Sequence, residues 1–409
     1  MSGPGHSLIG EAERANVLRA LEGTLTRYRY GQPGEPSFVH RFERAVEDTF
    51  DARHCIATNS GTSALLSGLA ALGIGPGDEV LVPGYTFIAS VASIVHAGAT
   101  PVLVEIDDTL NIDPVDAASK ITPRTRAILP VHMLGAGADM DAIGDLAAQH
   151  GLAVLEDVAQ ACGGSHRGRR LGTIGDVGAF SLNYFKVITA GEGGFLLTGS
   201  RELYERAYSF HDHGFKPLRD GAIDADSLFG LNLRMGDLAG AVAFAQLGRL
   251  EDVLNRTRSR KAALVSAIGD LPGVRRRRLV DPAGDCATTV VYLFEDTDAA
   301  RRVAARLGTT TLVDSGRHYY GNMPQLLSLG AGDRTSSTFH RRDQRAMPDY
   351  SPGSLPRTDD LLARAVAVST GAADSYSATN FGVDVHSSDK EVELAAERFR
   401  AAVLSGASR

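Results

Sequence analysis

With 409 residues the chain is too long for one simple core and fits a large domain joined to a smaller one, here expected as residues 1–250 and 251–409. A composition 43% hydrophobic and 22% charged is that of an ordinary globular protein, and a net charge of -7 argues against a nucleic-acid or anionic-membrane surface as the main partner. Cys55, Cys162 and Cys286 are far apart and form no Cys-x-x-Cys pair, so they suggest neither a disulfide frame nor a zinc cluster. No apolar run reaches the roughly 18 residues of a membrane span, and Met1 to Gly10 lacks the apolar stretch of a signal peptide. A reducing, cytoplasmic setting is expected.

Met1 to Ser7 is small, polar and Gly/Pro-bearing, and is expected to be disordered. Helical spacing follows in Glu11 to Leu25 (Ala15, Leu18, Leu21) and in Phe38 to Phe50 (Phe38, Phe42, Val46, Phe50), with turn residues Gly31 to Pro36 between them. From residue 54 to about 198, short apolar runs alternate with helical segments. The runs are His54–Thr58, Glu79–Pro83, Pro101–Ile106, Ala127–Val131, Ala153–Leu155, Ala179–Leu182 and Phe195–Thr198. Strands alternating with helices predict an α/β fold with a mostly parallel sheet flanked by helices, and such sheets bind ligands beyond the carboxyl ends of their strands. One long charged helix is expected from Asp237 through Leu254 and beyond, leading into a smaller α+β domain. That domain holds strand candidates Thr288–Phe294 and Thr310–Val313 and a last helix, Glu391–Val403. Arg275 to Arg278 reads as a solvated turn or strand edge, and Asp333 to Pro356, polar and rich in Pro, Ser and Arg, as a long surface loop.

Only five of the basic residues are lysines: Lys120, Lys186, Lys216, Lys261 and Lys390. Four sit among polar or turn residues, where a solvated ammonium is a sufficient account. Lys186 instead follows an apolar strand-like run and is flanked by Phe185, Val187 and Ile188. Desolvation disfavours a charged amine and prepares it as a nucleophile for a Schiff base, although lysines also snorkel from the edges of cores. Other chemistry-bearing residues fall at the same sheet edge. Asn59 to Ala64 feeds a helix start, which suits a phosphate through free amides, hydroxyls and the helix dipole, or is an ordinary N-cap by Ser60 or Thr62. Phe87 follows the second run and could stack on a flat ring or belong to the core. Asp157 ends the fifth run, where a buried carboxylate needs a cation or several donors, or else caps the next helix. Ser181 lies five residues before Lys186 and could add a phosphate contact. A phosphate cradle, a ring stacker, a buried carboxylate and an apolar lysine together are what pyridoxal 5'-phosphate (PLP) requires.

Five ordered motifs resemble those of the DegT/DnrJ/EryC1/StrS aminotransferases, fold-type-I PLP enzymes of amino-sugar and aminocyclitol pathways. They are Asn59 to Ala64, Pro83 to Phe87, Glu156 to Gln160, Phe180 to Lys186 with Gly191 to Gly194, and Leu231 to Met235. The resemblance implies that Lys186 carries the cofactor, Asp157 pairs with its pyridine nitrogen, Phe87 stacks on the ring and Gln160 lies beside it. It also implies that Gly61, Thr62 and Ser181 bind the phosphate, while Asn232 reaches the phosphate of a neighbouring subunit in a homodimer. His318-Tyr319 resembles the family's pair near the substrate entrance. Tyr320-Gly321-Asn322 and Val366 to Gly371 depart from the family's pattern, and both departures fall where specificity is set.

The expected reaction is transfer of an amino group from L-glutamate or L-glutamine to a keto group of a nucleotide-linked sugar or a cyclitol. Pro130 to Met133 and Ala138 to Ala142 are also similar to the 3-amino-5-hydroxybenzoate synthases of the same family. A sugar dehydratase of the family, which would carry histidine at the position of Lys186, and a PLP-binding regulator without turnover are the alternatives.

Overall fold

The computed structural model describes residues 3–25, 35–215, 227–330, 347–371 and 377–405. Seven strands form the large sheet: β1 (His54–Thr58), β2 (Glu79–Pro83), β3 (Thr100–Val104), β4 (Thr125–Ile128), β5 (Ala153–Asp157), β6 (Val177–Ser181) and β7 (Gly194–Thr198). Each arises from one of the seven apolar runs. Their spatial order is β1-β7-β6-β5-β4-β2-β3, with β7 antiparallel to both neighbours and the other pairings parallel. Strands such as β2 and β6 are buried along their whole length, which is why they read as continuous apolar runs instead of alternating ones.

Helices cover both faces. The Phe38–Phe50 helix buries Phe42, Val46 and Phe50 at the i, i+4 spacing seen in the sequence, and Ser37 caps it by accepting from the His40 amide at 3.2 Å. Its Phe50 ring meets Phe180 edge-on at 5.3 Å, and Phe180 stacks on Phe195 at 4.2 Å, so this packing ties β6 to β7 directly behind the lysine loop.

The small sheet is antiparallel: β8 (Val274–Arg276), β9 (Thr289–Phe294) and β10 (Ala365–Ser369), with β9 central. Tyr292, Phe294 and Val366 pack there with Leu264, Ile268 and Phe399 in a second apolar cluster. The strand expected at Thr310–Val313 is absent: the chain turns there, Thr311 Oγ1 donating to Asp314 at 2.8 Å, and only Thr311 bridges to Val366. The third strand comes from Val366 to Ser369, the stretch noticed in the sequence only as a departure from a pattern.

Other expectations also need correction. The single helix predicted from Asp237 is two, Asp237–Leu247 and Leu250–Ile268, interrupted at Gly248-Arg249 so that Arg249 Nε donates to Glu13 at 2.8 Å. Residues 3–7, expected to be disordered, form a helical turn, Pro4–Ser7. Of the loop expected from Asp333 to Pro356, residues 331–346 lie outside the described ones; beyond them Tyr350 is buried, its hydroxyl donating to the Pro101 carbonyl at 2.6 Å. Lys216 also lies outside the described residues. Lys261 is not solvated but pairs with buried Asp285, and Arg277 is buried instead of lying on a solvated edge. No helix among the described residues is long and apolar enough to cross a membrane.

Candidate active site

The strands β2, β5 and β6 deliver their carboxyl ends to one cavity of 390 Å³. After β6 the chain makes a tight loop. Thr189 Oγ1 donates to the Leu182 carbonyl at 3.0 Å, and the Lys186 amide donates to the Asn183 carbonyl at 3.0 Å. Val187 and Ile188 are buried and anchor the loop, which leaves Lys186 half-buried on the cavity wall. The turn at residues 3–7 closes the loop from outside: the Gly3 amide donates to the Tyr184 carbonyl (3.3 Å) and the Gly5 amide to that of Lys186 (3.4 Å), with Pro4 on the cavity wall.

Asp157, 4% exposed, ends β5 on the wall of the same cavity. Its Oδ2 accepts from Ser90 Oγ at 2.7 Å and its Oδ1 from the Ala159 amide at 3.0 Å. Ser90, in the first turn of the Ile88–His96 helix, is in turn within 2.7 Å of Thr86 Oγ1, which lies just before that helix's N-cap, Phe87. Among the described residues no Lys, Arg or His lies within ion-pair distance of this carboxylate. A buried carboxylate held by neutral donors alone favours a cation delivered from the cavity.

Its neighbour Glu156 faces the other way, as strand alternation requires. Its two oxygens accept from the Gly172, Ile174 and Gly175 amides at 2.7–2.8 Å and from His132 Nε2 at 3.1 Å. Because His132 Nδ1 accepts from the Ala138 amide at 3.0 Å, the ring proton sits on Nε2. Burial alone would raise the Glu156 pKa, but the His132 contact and the amides bring it below the ordinary value.

Gly61 and Thr62 open the Gly61–Ala71 helix, capped by Ser60 Oγ, which accepts from the Ser63 amide at 3.1 Å. A Cβ at Gly61 would sit 2.7 Å from Ser181 Cβ, so only glycine lets the helix start approach the end of β6 this closely. The first turn of this helix and Ser181 thereby lie side by side on the cavity wall, where a helix N-terminus favours an anion. Phe87 lines the same cavity, with its ring 5.5 Å from that of His318. Gln160 Oε1 accepts from the Leu134 amide at 2.9 Å and so holds a turn in which Leu134 takes φ 53°.

Seven of the eight residues singled out from the sequence therefore share one cavity: Gly61, Thr62, Phe87, Asp157, Gln160, Ser181 and Lys186. Asn232 does not line it. It is exposed, on a segment whose backbone bridges to Asp212. Of the His318-Tyr319 pair only His318 reaches the cavity, while the Tyr319 hydroxyl donates to Asp359 at 2.9 Å.

Sequence reasoning missed Ser90 and Thr86, although their i, i+4 spacing just after β2 was a signal. It also missed Arg317, Thr288, Thr289, Ser377 and Thr379, which the small-sheet half brings to the cavity. Those come from segments far apart in sequence, and only the tertiary fold assembles them. The donor set fits PLP: a primary amine, an aromatic face, a buried carboxylate suited to a protonated ring nitrogen and a helix N-terminus for the phosphate.

Residues 11–329 match the DegT/DnrJ/EryC1/StrS aminotransferase family. The chain is 43% identical over 218 residues to GDP-perosamine synthase of Caulobacter vibrioides, a match covering 53% of this chain and 58% of that protein. It is 38% identical over 296 residues to L-glutamine:2-deoxy-scyllo-inosose aminotransferase of Streptoalloteichus tenebrarius, covering 69% of each. The match thus spans little more than half to about two thirds of these relatives' lengths. In three dimensions it is similar to 3-amino-5-hydroxybenzoic acid synthase, with a TM-score of 0.78 and 28% identity over 98% of this chain and 99% of that one. The chain belongs to the DegT/DnrJ/EryC1/StrS aminotransferase family, whose cofactor is pyridoxal phosphate.

Proposed function

We propose that this protein transfers an amino group from L-glutamate or L-glutamine to a keto group on a nucleotide-linked sugar or a cyclitol, in the cytoplasm and as a homodimer. The observation that carries the reading is the placement of Lys186 and Asp157 on one cavity with the amides of the Gly61–Ala71 helix. PLP, when bound, supplies the electron sink for cleavage of a C–H bond beside nitrogen. Asp157 holds the ring nitrogen protonated, and Ser90 and the Ala159 amide hold Asp157. The Lys186 amine would hold the cofactor and would serve as general base for the proton on the donor's α-carbon, an acid–base role worth about 10²–10⁴ in rate. Gly61, Thr62 and Ser181 fix the phosphate, Phe87 covers the ring face and Gln160 flanks it. Asn232 serves the cofactor of a second copy. Residues 1–250 and 251–409 act as the large and small domains, with the substrate between them.

The names of the relatives support sugar or cyclitol acceptors, and the likeness to an aromatic-amine synthase along nearly the whole chain favours a cyclic keto acid as the second reading. Lys186 stands against the dehydratase alternative. Reduction with borohydride followed by peptide mass analysis should place the cofactor on Lys186 and find nothing on the Lys186→Ala protein; attachment elsewhere would end the assignment. Glutamate, glutamine and alanine, each paired with ketosugar nucleotides, free inososes or cyclic keto acids, should show turnover with one acceptor class. Loss of the bound cofactor's visible absorbance on adding glutamate or glutamine separates a transaminase from a regulator that merely binds the cofactor.

A further inference from the structure

Asp139 and Asp141 stand at the start of the Met140–His150 helix, which precedes β5. His166 lies after β5, in a small antiparallel hairpin that pairs Ser165–His166 with Arg169–Arg170. Its loop is two residues long, with Arg167 at φ 50° and Gly168 at φ 81°, the left-handed pair that closes a hairpin tightly. The fold brings these three side chains together: each offers a ring nitrogen or a carboxylate oxygen, and the three atoms lie within 4.8 Å of one another. Ligands around a tetrahedral zinc ion, at bond lengths of about 2.0–2.2 Å, stand about 3.4 Å apart. His166 Nε2 and Asp141 Oδ2 are already 3.3 Å apart, so small side-chain rotations complete the set.

Two carboxylates near a surface need no explanation, but His166 does. It is 2% exposed, and neither ring nitrogen has a hydrogen-bond partner. Asp141 Oδ2 is close enough but lies off the line that a hydrogen bond requires. Buried polar nitrogens are nearly always satisfied, and an orphan that faces two carboxylates suits an ion between them. Three other groups compete for these carboxylates. Asp139 Oδ1 accepts from the Ala142 amide at 3.2 Å, and Arg278, which pairs with Asp107 and Asp108, also feels the Asp139 charge. Arg167 Nη1 lies 2.6 Å from Asp141 Oδ2, but its side chain is 70% exposed, and an exposed ion pair of this kind is weak enough to yield to a divalent ion. The positive end of the helix carries only about half a charge, against two carboxylates.

We propose that Asp139, Asp141 and His166 bind one divalent transition-metal ion of the zinc class, with water completing its shell. An imidazole nitrogen among the ligands selects zinc or manganese over magnesium, and the usual order of affinities puts zinc ahead of manganese. None of the three residues lines the cofactor cavity, so the ion acts as a clamp and not in the reaction. It ties the helix before β5 to the hairpin after it, bracing from both sides the strand that ends in Asp157.

The test uses the full-length, cofactor-loaded protein, freed of metal with a chelator and titrated calorimetrically with zinc, manganese and magnesium chlorides in turn. One saturable site is expected, tightest for zinc and weakest for magnesium. His166→Phe should weaken zinc binding at least 100-fold and Asp141→Asn at least tenfold. Arg167→Gln, which removes the competing cation, should tighten it severalfold. His150→Gln, at an exposed position on the same helix, should leave it unchanged. Absence of saturable zinc binding, or binding by His166→Phe or Asp141→Asn equal to that of the wild type, overturns the site. Asp141 is half-exposed, so its variant decides the matter even where the buried histidine cannot be replaced without unfolding. Zinc at a hundredfold excess over its Kd should raise the thermal midpoint of the wild type by at least about 2 °C and leave that of Asp141→Asn in place. Binding without that rise overturns the clamp.

Discussion

On β5, Glu156 and Asp157 differ in what they face: one meets amides and a histidine, the other a cavity. Glu156→Gln puts an amide donor against backbone donors in a fully buried place, and a loss of about 3 kcal/mol in urea unfolding is expected. The Glu156 pKa is depressed in the folded state, so its contribution is present above the unfolded value of 4.5 and is lost as pH falls through the folded one. Wild-type stability should therefore drop on acidification below about 4.5, and the variant should show a shallower acid limb. Asp157→Asn should leave stability nearly intact while turnover falls about 100-fold, if the ring nitrogen loses about two pKa units at 1.4 kcal/mol each. Arg317 is the one guanidinium among the described residues on the cofactor cavity wall. Arg317→Ala should raise KM for a carboxylate-bearing donor about 10- to 100-fold, the scale of one charged hydrogen bond, with a smaller effect on kcat. At this scale the sequence was informative wherever a residue's neighbours in the chain are its neighbours in space, as for Lys186 and Asp157. Arg317, Thr288 and Thr379 reach the cavity only through folding, and no local pattern marks them.

The close approach of the Gly61–Ala71 helix to β6 depends on one missing side chain. Gly61→Ala pushes the helix start off Ser181, and cofactor retention through gel filtration should fall at least tenfold while far-UV dichroism stays the same; unchanged retention would show that the cradle lies elsewhere. The break at Gly248-Arg249 has its own signature. Glu13, which Arg249 and Gln246 hold, has a pKa that burial would raise and these partners lower to about 2. Its contribution is full above 4.5 and fades between 4.5 and about 2. Arg249→Ala should remove that part of the acid dependence. Elements were legible where periodicity was long and uniform, as in the seven runs of the large sheet and the Asp389–Leu404 helix with its Ser388–Glu391 capping box. They were not legible where a two-residue interruption splits a pattern, or where Val366 to Ser369 gains strand character only by pairing with β9.

For the molecule as a whole, Phe229 stands fully exposed beside half-exposed Leu231, on the segment that carries Asn232. Apolar side chains of this size on the surface mark a contact face, and we expect a dimer by light scattering that Phe229→Asp weakens at least tenfold, with cofactor release rising in parallel. The turn at residues 3–7 has a further consequence for anyone handling the protein. A protease cut before Leu8 would leave nearly every cavity side chain in place and strip the backbone partners from Tyr184 and Lys186. Such a nicked preparation would migrate almost normally on a gel and fade from yellow during storage, so bleaching is a symptom of trimming as much as of chemistry.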